Sequence, residues 1–89
     1  MKEMVLAVEV ENLTLRYYRT EGVMENESGK TPIFGIFAAK YIGEEKEEES
    51  DAGFISTDMA YVDELIATLG KNTVTPMVLG EVLDDMLSA

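Results

Sequence analysis

The amino-acid sequence predicts an α+β fold: an antiparallel four-stranded β-sheet, connected as a meander, followed by two C-terminal helices packed on one of its faces. Apolar residues recur with the period of two that is typical of strands as far as residue 55, and with a period of 3.6 after it. No helical segment separates the predicted strands, so consecutive strands are expected to pair antiparallel. With 89 residues, the chain has room for one domain, 1–89, with a sheet part at 1–55 and a two-helix part at 56–89.

Two early segments have the pattern of paired strands. The first is Met4–Val10, which ends in an alternation of valine and glutamate before Asn12 interrupts it. The second is Leu13–Arg19. Its two faces carry Leu13, Leu15 and Tyr17 on one side and Thr14, Arg16 and Tyr18 on the other. We expect these strands to form a hairpin.

The next part of the chain predicts two further strands and two exposed connections. Glu21–Pro32 is rich in Gly, Asn, Ser and Glu and ends in a proline that cannot donate to a ladder, which favours a loop. Ile33–Ile42 is apolar on both faces, as expected of a central strand. Gly43–Asp51 has six carboxylates and one lysine, which indicates a solvated, mobile connection to a short fourth strand at Ala52–Ile55.

Two helices are predicted after residue 55. Residues 56–58, Ser-Thr-Asp, are suitable N-caps for the first helix, and Gly70 is typical of a left-handed C-terminal stop. Thr75 and Pro76 have the pattern of an N-cap followed by proline at the first helical position. Each helix has one apolar stripe, formed by Val62, Leu65, Ile66 and Leu69 in the first and by Leu79, Val82, Leu83 and Met86 in the second.

The composition excludes several kinds of site. Without cysteine or histidine, the chain can form no disulfide, thiolate nucleophile or zinc finger, and it lacks the commonest general base. Gly29-Lys30-Thr31 is similar to the end of a phosphate-binding loop, but Met24 stands where that motif needs a glycine. The carboxylate pairs Asp63-Glu64 and Asp84-Asp85 point about 100° apart on a helix, so neither pair can share a cleft. We therefore predict no catalytic residue, no cofactor and no metal.

Calcium is an alternative role for the carboxylates of Gly43–Asp51, because hard cations prefer clustered oxygen ligands. The segment lacks the alternating Asp or Asn residues and the central glycine of a calcium-binding hand. We expect these side chains to be solvated, with cation binding left open.

One strand carries the only aromatic and basic cluster of an otherwise acidic sequence. Thr14, Arg16, Tyr18 and Arg19 form the predicted interaction surface, because tyrosine and arginine are enriched where proteins bind one another. The alternative is that Tyr17 belongs to the core while the two arginines pair with nearby glutamates.

Several segments together resemble a family of short, acidic, uncharacterised proteins of clostridia and related Gram-positive bacteria, a domain of unknown function. The matching residues are Tyr17-Tyr18, Gly35-Ile36, Ile55-Ser56-Thr57-Asp58, Asn72, Val74-Thr75-Pro76, Leu79, Val82, Asp85 and Leu87. The resemblance implies a bacterial, cytoplasmic protein and adds no catalytic or ligand-binding residue. Met77-Val78 stands before Leu79 where the family often has a polar residue, so no role is carried over to that position.

These observations favour a small non-enzymatic protein–protein interaction or regulatory module, with self-association as a homodimer through a sheet edge as a further expectation. The net charge of −11 suggests an alternative, an acidic nucleic-acid mimic that binds a basic DNA-binding protein. The same charge opposes direct binding to nucleic acid. An enzyme is a third alternative and would have to use carboxylates, Tyr or Lys. The longest apolar stretches, Met4–Val8 and Ile33–Ala39, are too short to cross a membrane, so the expected location is the cytoplasm.

Overall fold

The computed structural model describes residues 1–88, which form one sheet and two helices. The predicted helical part ends at residue 89, which lies outside the described residues. In chain order, the elements are β1 Lys2–Val10, β2 Leu13–Asn26, β3 Gly29–Ile42, β4 Glu45–Ser56, α1 Met59–Lys71, a 3₁₀ turn at Pro76–Val78, and α2 Leu79–Ser88.

The four strands form one antiparallel sheet in the order β1-β2-β3-β4, which confirms the predicted meander. Short turns join successive strands, so each strand pairs with the one that follows it. Glu11 in the first turn and Gly43 in the third have φ values of 58° and 61°, the left-handed conformation that tight hairpins use. The sheet therefore has two edges, β1 and β4.

The segment Glu21–Pro32, expected to be a loop, is instead part of a long hairpin. β2 ends at Asn26 and β3 begins at Gly29, so only residues 27 and 28 form the turn. The loop prediction was wrong because residue composition reports the turn preference of single residues, whereas here the two halves of the segment pair with each other across a two-residue turn.

The end of this hairpin projects beyond the other two strands. Pairing with β1 extends only to Thr20 and pairing with β4 only to Phe34, which leaves residues 22–33 as a two-stranded ribbon. The molecule is 48 Å long, close to the roughly 46 Å that a strand of 14 residues spans. Pro32 fits here because β3 has a free side beyond Phe34, where a missing N–H interrupts no ladder.

The acidic segment Gly43–Asp51, expected to be a mobile connection, belongs mostly to β4. Only residues 43 and 44 form the turn, and the strand begins at Glu45 rather than at Ala52. β4 is an edge strand on which most of the carboxylates stay exposed, so charge does not oppose its formation. Charged side chains are also a common protection of an exposed strand edge.

Two lysines form ion pairs with carboxylates of β4. Lys40 on β3 contacts Glu48, and Lys46 contacts Glu49, each at 2.8 Å. The hydrogen bond between Lys46 and Glu49 raises the pKa of Lys46 and lowers the pKa of Glu49. Because the Lys46 pair is exposed, we expect it to add little to stability.

The core lies between the sheet and the two helices. Both predicted apolar stripes are confirmed, since those of α1 and α2 face this core with every member buried or half-buried. The buried residues of this core are Leu15, Tyr17, Phe34, Ile36, Ala38, Val62, Leu65, Ile66, Leu69, Val74, Leu79 and Leu83.

Tyr17 attaches the segment after α1 to the sheet. Its ring is fully buried, and its hydroxyl donates a hydrogen bond of 2.7 Å to the carbonyl of Val74 and a longer one of 3.4 Å to that of Leu69. Burial raises the pKa of Tyr17 to about 12. The neutral phenol is therefore part of the folded structure.

The ends of the helices agree only in part with the prediction. The Asp58 carboxylate caps α1 by accepting the N–H of Tyr61 at 3.3 Å, as expected. Gly70, expected to end the helix in a left-handed conformation, lies inside it instead, and the left-handed residue is Thr73 with φ of 47°. The side chain of Thr75 forms no cap hydrogen bond to the 3₁₀ turn that precedes α2.

Packing of α1 against β1 explains why residue 70 is a glycine. A Cβ atom at this position would clash with the Cδ2 atom of Leu6, so the glycine lets α1 approach the sheet closely. The requirement is for space, which the local sequence pattern around a helix end does not reveal.

Candidate functional site

The sheet has one face that the helices leave uncovered. On β2 and β3, the residues packed against the helices alternate with residues that point the other way. We call this second surface the open face; it includes Lys2, Thr14, Arg16, Tyr18, Phe37, Ala39, Tyr41 and Phe54.

Three of the four residues of the predicted interaction surface lie together on the open face. Thr14, Arg16 and Tyr18 are spaced two apart on β2, and their partners on β3 are Tyr41, Ala39 and Phe37, respectively. Tyr17, between them, is in the core, as the alternative interpretation expected.

Arg19 is separated from these three residues. It lies on the helix-covered side, where its guanidinium donates to both oxygens of Asp63 on α1, at 2.7 and 2.9 Å, and to Glu3 on β1 at 3.0 Å. Its side chain is only 14% exposed. Arg19 thus connects β1, β2 and α1, and the predicted surface is incomplete at this position.

Aromatic rings and cations pack together on the open face. Tyr18 and Phe37 are in edge-to-face contact, with ring centroids 5.7 Å apart and an interplanar angle of 68°. The Nζ atom of Lys2 lies 3.8 Å from the Phe37 centroid, and the guanidinium carbon of Arg16 lies 4.2 Å from that of Tyr41. Contacts of this kind hold a cation at a defined position without neutralising its charge.

Sequence reasoning missed Lys2, Phe37, Tyr41 and Phe54. The third strand was interpreted as apolar on both sides, which it is, but its alternation also assigns Phe37 and Tyr41 to one face. Only the pairing register shows that this face also carries Arg16 and Tyr18. Lys2 preceded the first predicted strand.

Phe54 extends the aromatic surface towards the ribbon. Its ring is 54% exposed and lies against Gly22, where any side chain would clash with it. Gly35 on β3, the register partner of Phe54, leaves no room for a Cβ atom either, because the carbonyl oxygen of Gly53 approaches its backbone. These two glycines allow β2, β3 and β4 to pack closely beneath the ring.

The open face differs in charge from the rest of the molecule. The pairing register assigns six charged side chains to the open face, three cationic and three acidic: Lys2, Arg16, Lys46, Glu9, Glu49 and Asp51. It is therefore neutral in total, and the net charge of −11 belongs to other surfaces. Among the residues that the structure describes, Lys2 and Arg16 form no ion pair, whereas Arg19, Lys30, Lys40 and Lys46 do.

Other parts of the described chain offer little space for a small ligand. A cavity of about 20 Å³ between the chain start and β2, lined by Met1, Lys2, Glu3, Arg19 and Glu21, has the size of one water molecule. Within residues 1–88, no three His, Cys, Asp or Glu side chains are grouped so that they could hold a metal ion. On β4, the carboxylates are divided between the two faces of the sheet: Glu48 lies on the helix-covered side, and Glu49 and Asp51 lie on the open face.

Neither α1 nor α2 has the length and apolarity that a membrane-crossing helix needs. This finding covers residues 1–88.

Comparison with curated proteins and with solved structures gave no match. A family model, DUF6514, described as a family of unknown function, matches residues 1–89. The match covers the sheet, both helices and the open face together. The chain belongs to the DUF6514 family, a family of unknown function.

Proposed function

We propose that this chain is a non-enzymatic protein–protein interaction module that binds its partner on the open face of the sheet. The observation that supports this proposal is the combination found there: four aromatic rings, two cations without an ion pair, and no net charge, on a face that no helix covers. Aromatic residues and arginine are the side chains most enriched at the centres of protein interfaces.

The chemistry of this face favours a partner segment that places a carboxylate beside apolar side chains. Arg16 and Lys2 are held over aromatic rings, so a partner carboxylate would meet cations that are already ordered. Phe54, the most exposed ring, offers apolar contact on the same face of the sheet. A basic partner segment would find less opposite charge here than on the acidic surfaces of the molecule.

A charge reversal with a matched control tests the proposal. The tagged chain and its variants are used to capture partners from the source cell. Arg16→Glu should reduce capture roughly tenfold or more, because it places a carboxylate where a partner carboxylate would bind. Lys71→Glu changes the net charge equally at an exposed position on α1 and should capture as well as the unsubstituted chain.

A second pair of variants separates apolar contact from charge. Phe54→Ser removes an exposed ring from the open face, and Met77→Ser removes an exposed apolar side chain, 78% exposed, from the 3₁₀ turn. We expect loss of the partner only with Phe54→Ser, while circular dichroism shows that both variants fold. Equal capture by all four variants would show that the open face is not the binding surface.

The acidic nucleic-acid mimic is a second candidate, supported by the distribution of carboxylates. Five lie on the β4 edge and three more are exposed on α2, which packs beside β4: Glu45, Glu47, Glu48, Glu49, Asp51, Glu81, Asp84 and Asp85. A mimic needs such a concentration on one side. Its binding to a basic protein should weaken steeply with added salt and with Glu45→Gln/Glu47→Gln, but not with Glu25→Gln/Glu27→Gln on the ribbon.

We further propose a bacterial and cytoplasmic setting. The resemblance to short acidic proteins of clostridia and related bacteria supports it, as does the lack of cysteine, which removes any need for an oxidising compartment. Fractionation of the source cell, with an antibody against the chain, would contradict this if the protein sedimented with membranes or appeared in the medium.

A further inference from the structure

The two edges of the sheet differ in how well they are protected against pairing. β4 carries five carboxylates among its twelve residues, and these would repel another β4 edge. β1 carries only three charged residues among nine, and its apolar residues Met4, Val5 and Val10 are 52%, 37% and 45% exposed. Of the two edges, β1 is therefore the one able to accept another strand.

A bulge in β1 makes this edge self-complementary. The register with β2 shifts between Met4 and Leu6, so Val5 is an extra residue and the alternation of faces changes phase there. As a result, Lys2 and Met4 lie on the open face before the bulge, and Ala7 and Glu9 lie on it after the bulge. A strand without the bulge would place Lys2 and Glu9 on opposite faces.

We propose that two copies of this chain associate through antiparallel pairing of their β1 edges, with Lys2 of each copy opposite Glu9 of the other. In this register Met4 faces Ala7 on the open face, and Glu3 faces Val8 on the other face. The twofold axis passes between Val5, the bulged residue, and Leu6. All pairs on either side of the axis keep side chains of the same face together, and the two Lys2–Glu9 pairs have opposite charges.

The charge pairs can form only between copies. Within one copy, Lys2 and Glu9 are seven residues apart along a strand, a distance of about 23 Å. In the monomer the Nζ atom of Lys2 lies over Phe37 on β3 and forms no ion pair among the described residues, so the side chain has to rotate outwards to meet Glu9 of the other copy.

The dimer would join both sheets into one of eight strands. A twofold axis normal to the sheet keeps the helices of both copies on the same side, so the two open faces become continuous. Eight residues per copy form a short ladder, and we expect a dissociation constant in the micromolar range, typical of small interfaces. Both proposals involve Lys2, but the variants that test the proposed function change Arg16 and Phe54, which lie outside the β1 pairing, so either proposal can fail without the other.

Charge exchange between the two positions tests this register. Molar mass is measured by sedimentation or light scattering over roughly 1–500 µM, concentrations that bracket a micromolar dissociation constant. The unsubstituted chain should reach twice its 9.9 kDa. Lys2→Glu and Glu9→Lys should each weaken association roughly tenfold, because each places like charges opposite one another twice. The double variant Lys2→Glu/Glu9→Lys should restore it.

Mixing gives the most specific arm of the experiment. In an equimolar mixture, Lys2→Glu and Glu9→Lys chains carry opposite charges at every facing position, so they should associate although neither does alone. Glu11→Lys, in the turn after β1, is the control for Glu9→Lys and should dimerise normally. A monomer of 9.9 kDa throughout the range, or weakened variants that neither the double substitution nor the mixture restores, would overturn the proposal.

Discussion

Tyr17 offers a direct test of how the helical part is held on the sheet. Its hydroxyl donates to the Val74 carbonyl at 2.7 Å and to the Leu69 carbonyl at 3.4 Å. The Leu69 carbonyl also accepts the N–H of Val74 at 3.0 Å, so it keeps a partner without Tyr17. The bond to Val74 is therefore the one that we expect to matter.

The substitution Tyr17→Phe removes this donor and keeps the ring. Val74 is only 7% exposed, so water cannot easily replace the hydroxyl, and the expected loss is about 1–3 kcal/mol of unfolding free energy. Urea denaturation measures it. Tyr18→Phe removes the same atom from the adjacent residue, whose hydroxyl forms no hydrogen bond within residues 1–88, and should cost less than about 0.5 kcal/mol. Equal losses in the two variants would refute the reasoning.

The same residue predicts how stability depends on pH. The pKa of Tyr17 is raised by burial to about 12 in the folded chain, above the ordinary value of 10.0 that the unfolded chain should have. Its contribution is thus fully present below pH 10 and is lost as pH rises through about 12, at most roughly 3 kcal/mol over two pH units. The stability difference between the unsubstituted chain and Tyr17→Phe should shrink over this window. A constant difference would show that Tyr17 titrates normally when folded.

Three further substitutions test separate contacts by urea denaturation. Gly35→Ala should cost about 3 kcal/mol or prevent folding, because its Cβ meets the backbone oxygen of Gly53; a loss below about 0.5 kcal/mol would contradict the close approach. Gly80→Ala, at an exposed helical position with open space around it, should instead add about 0.5 kcal/mol, and any loss would count against that geometry. Arg19→Gln and Asp63→Asn should show a coupling of about 1 kcal/mol in a double-mutant cycle, which additive losses would disprove.

Residues with strong local patterns were predicted well. The apolar stripes of both helices and the Asp58 cap depend on spacing along a single segment, and the structure confirms them. The meander was also expected from chain order, because strands joined by short connections without a crossover helix can pair antiparallel with their neighbours.

The errors lie where pairing or packing between segments determines the structure. Residues 22–33 and the acidic start of β4 have the composition of loops, yet each becomes a strand because a long partner on β3 or β2 supplies its hydrogen bonds. Gly70 has the local pattern of a helix stop, but its role is to make room for Leu6. In each case the structure depends on contacts across a turn or between elements, which the propensity of single residues does not report.

For the candidate surface, too, one part was determined by the sequence and another by the tertiary structure. Alternation along β2 by itself determined that Thr14, Arg16 and Tyr18 share one face, because side chains of a strand point to opposite sides with a period of two. It also placed Arg19 on the side of Tyr17, although residue type had grouped Arg19 with the surface.

Only the tertiary structure decided which side the helices cover and what the neighbouring strands contribute. α1 and α2 bury Leu15 and Tyr17, which leaves Arg16 and Tyr18 uncovered beside Phe37 and Lys2. The bulge at Val5, which assigns Lys2 and Glu9 to one face, is likewise a matter of register. The physical reason is that periodicity gives relative orientation within one segment, whereas burial and neighbours depend on how segments distant in the chain pack together.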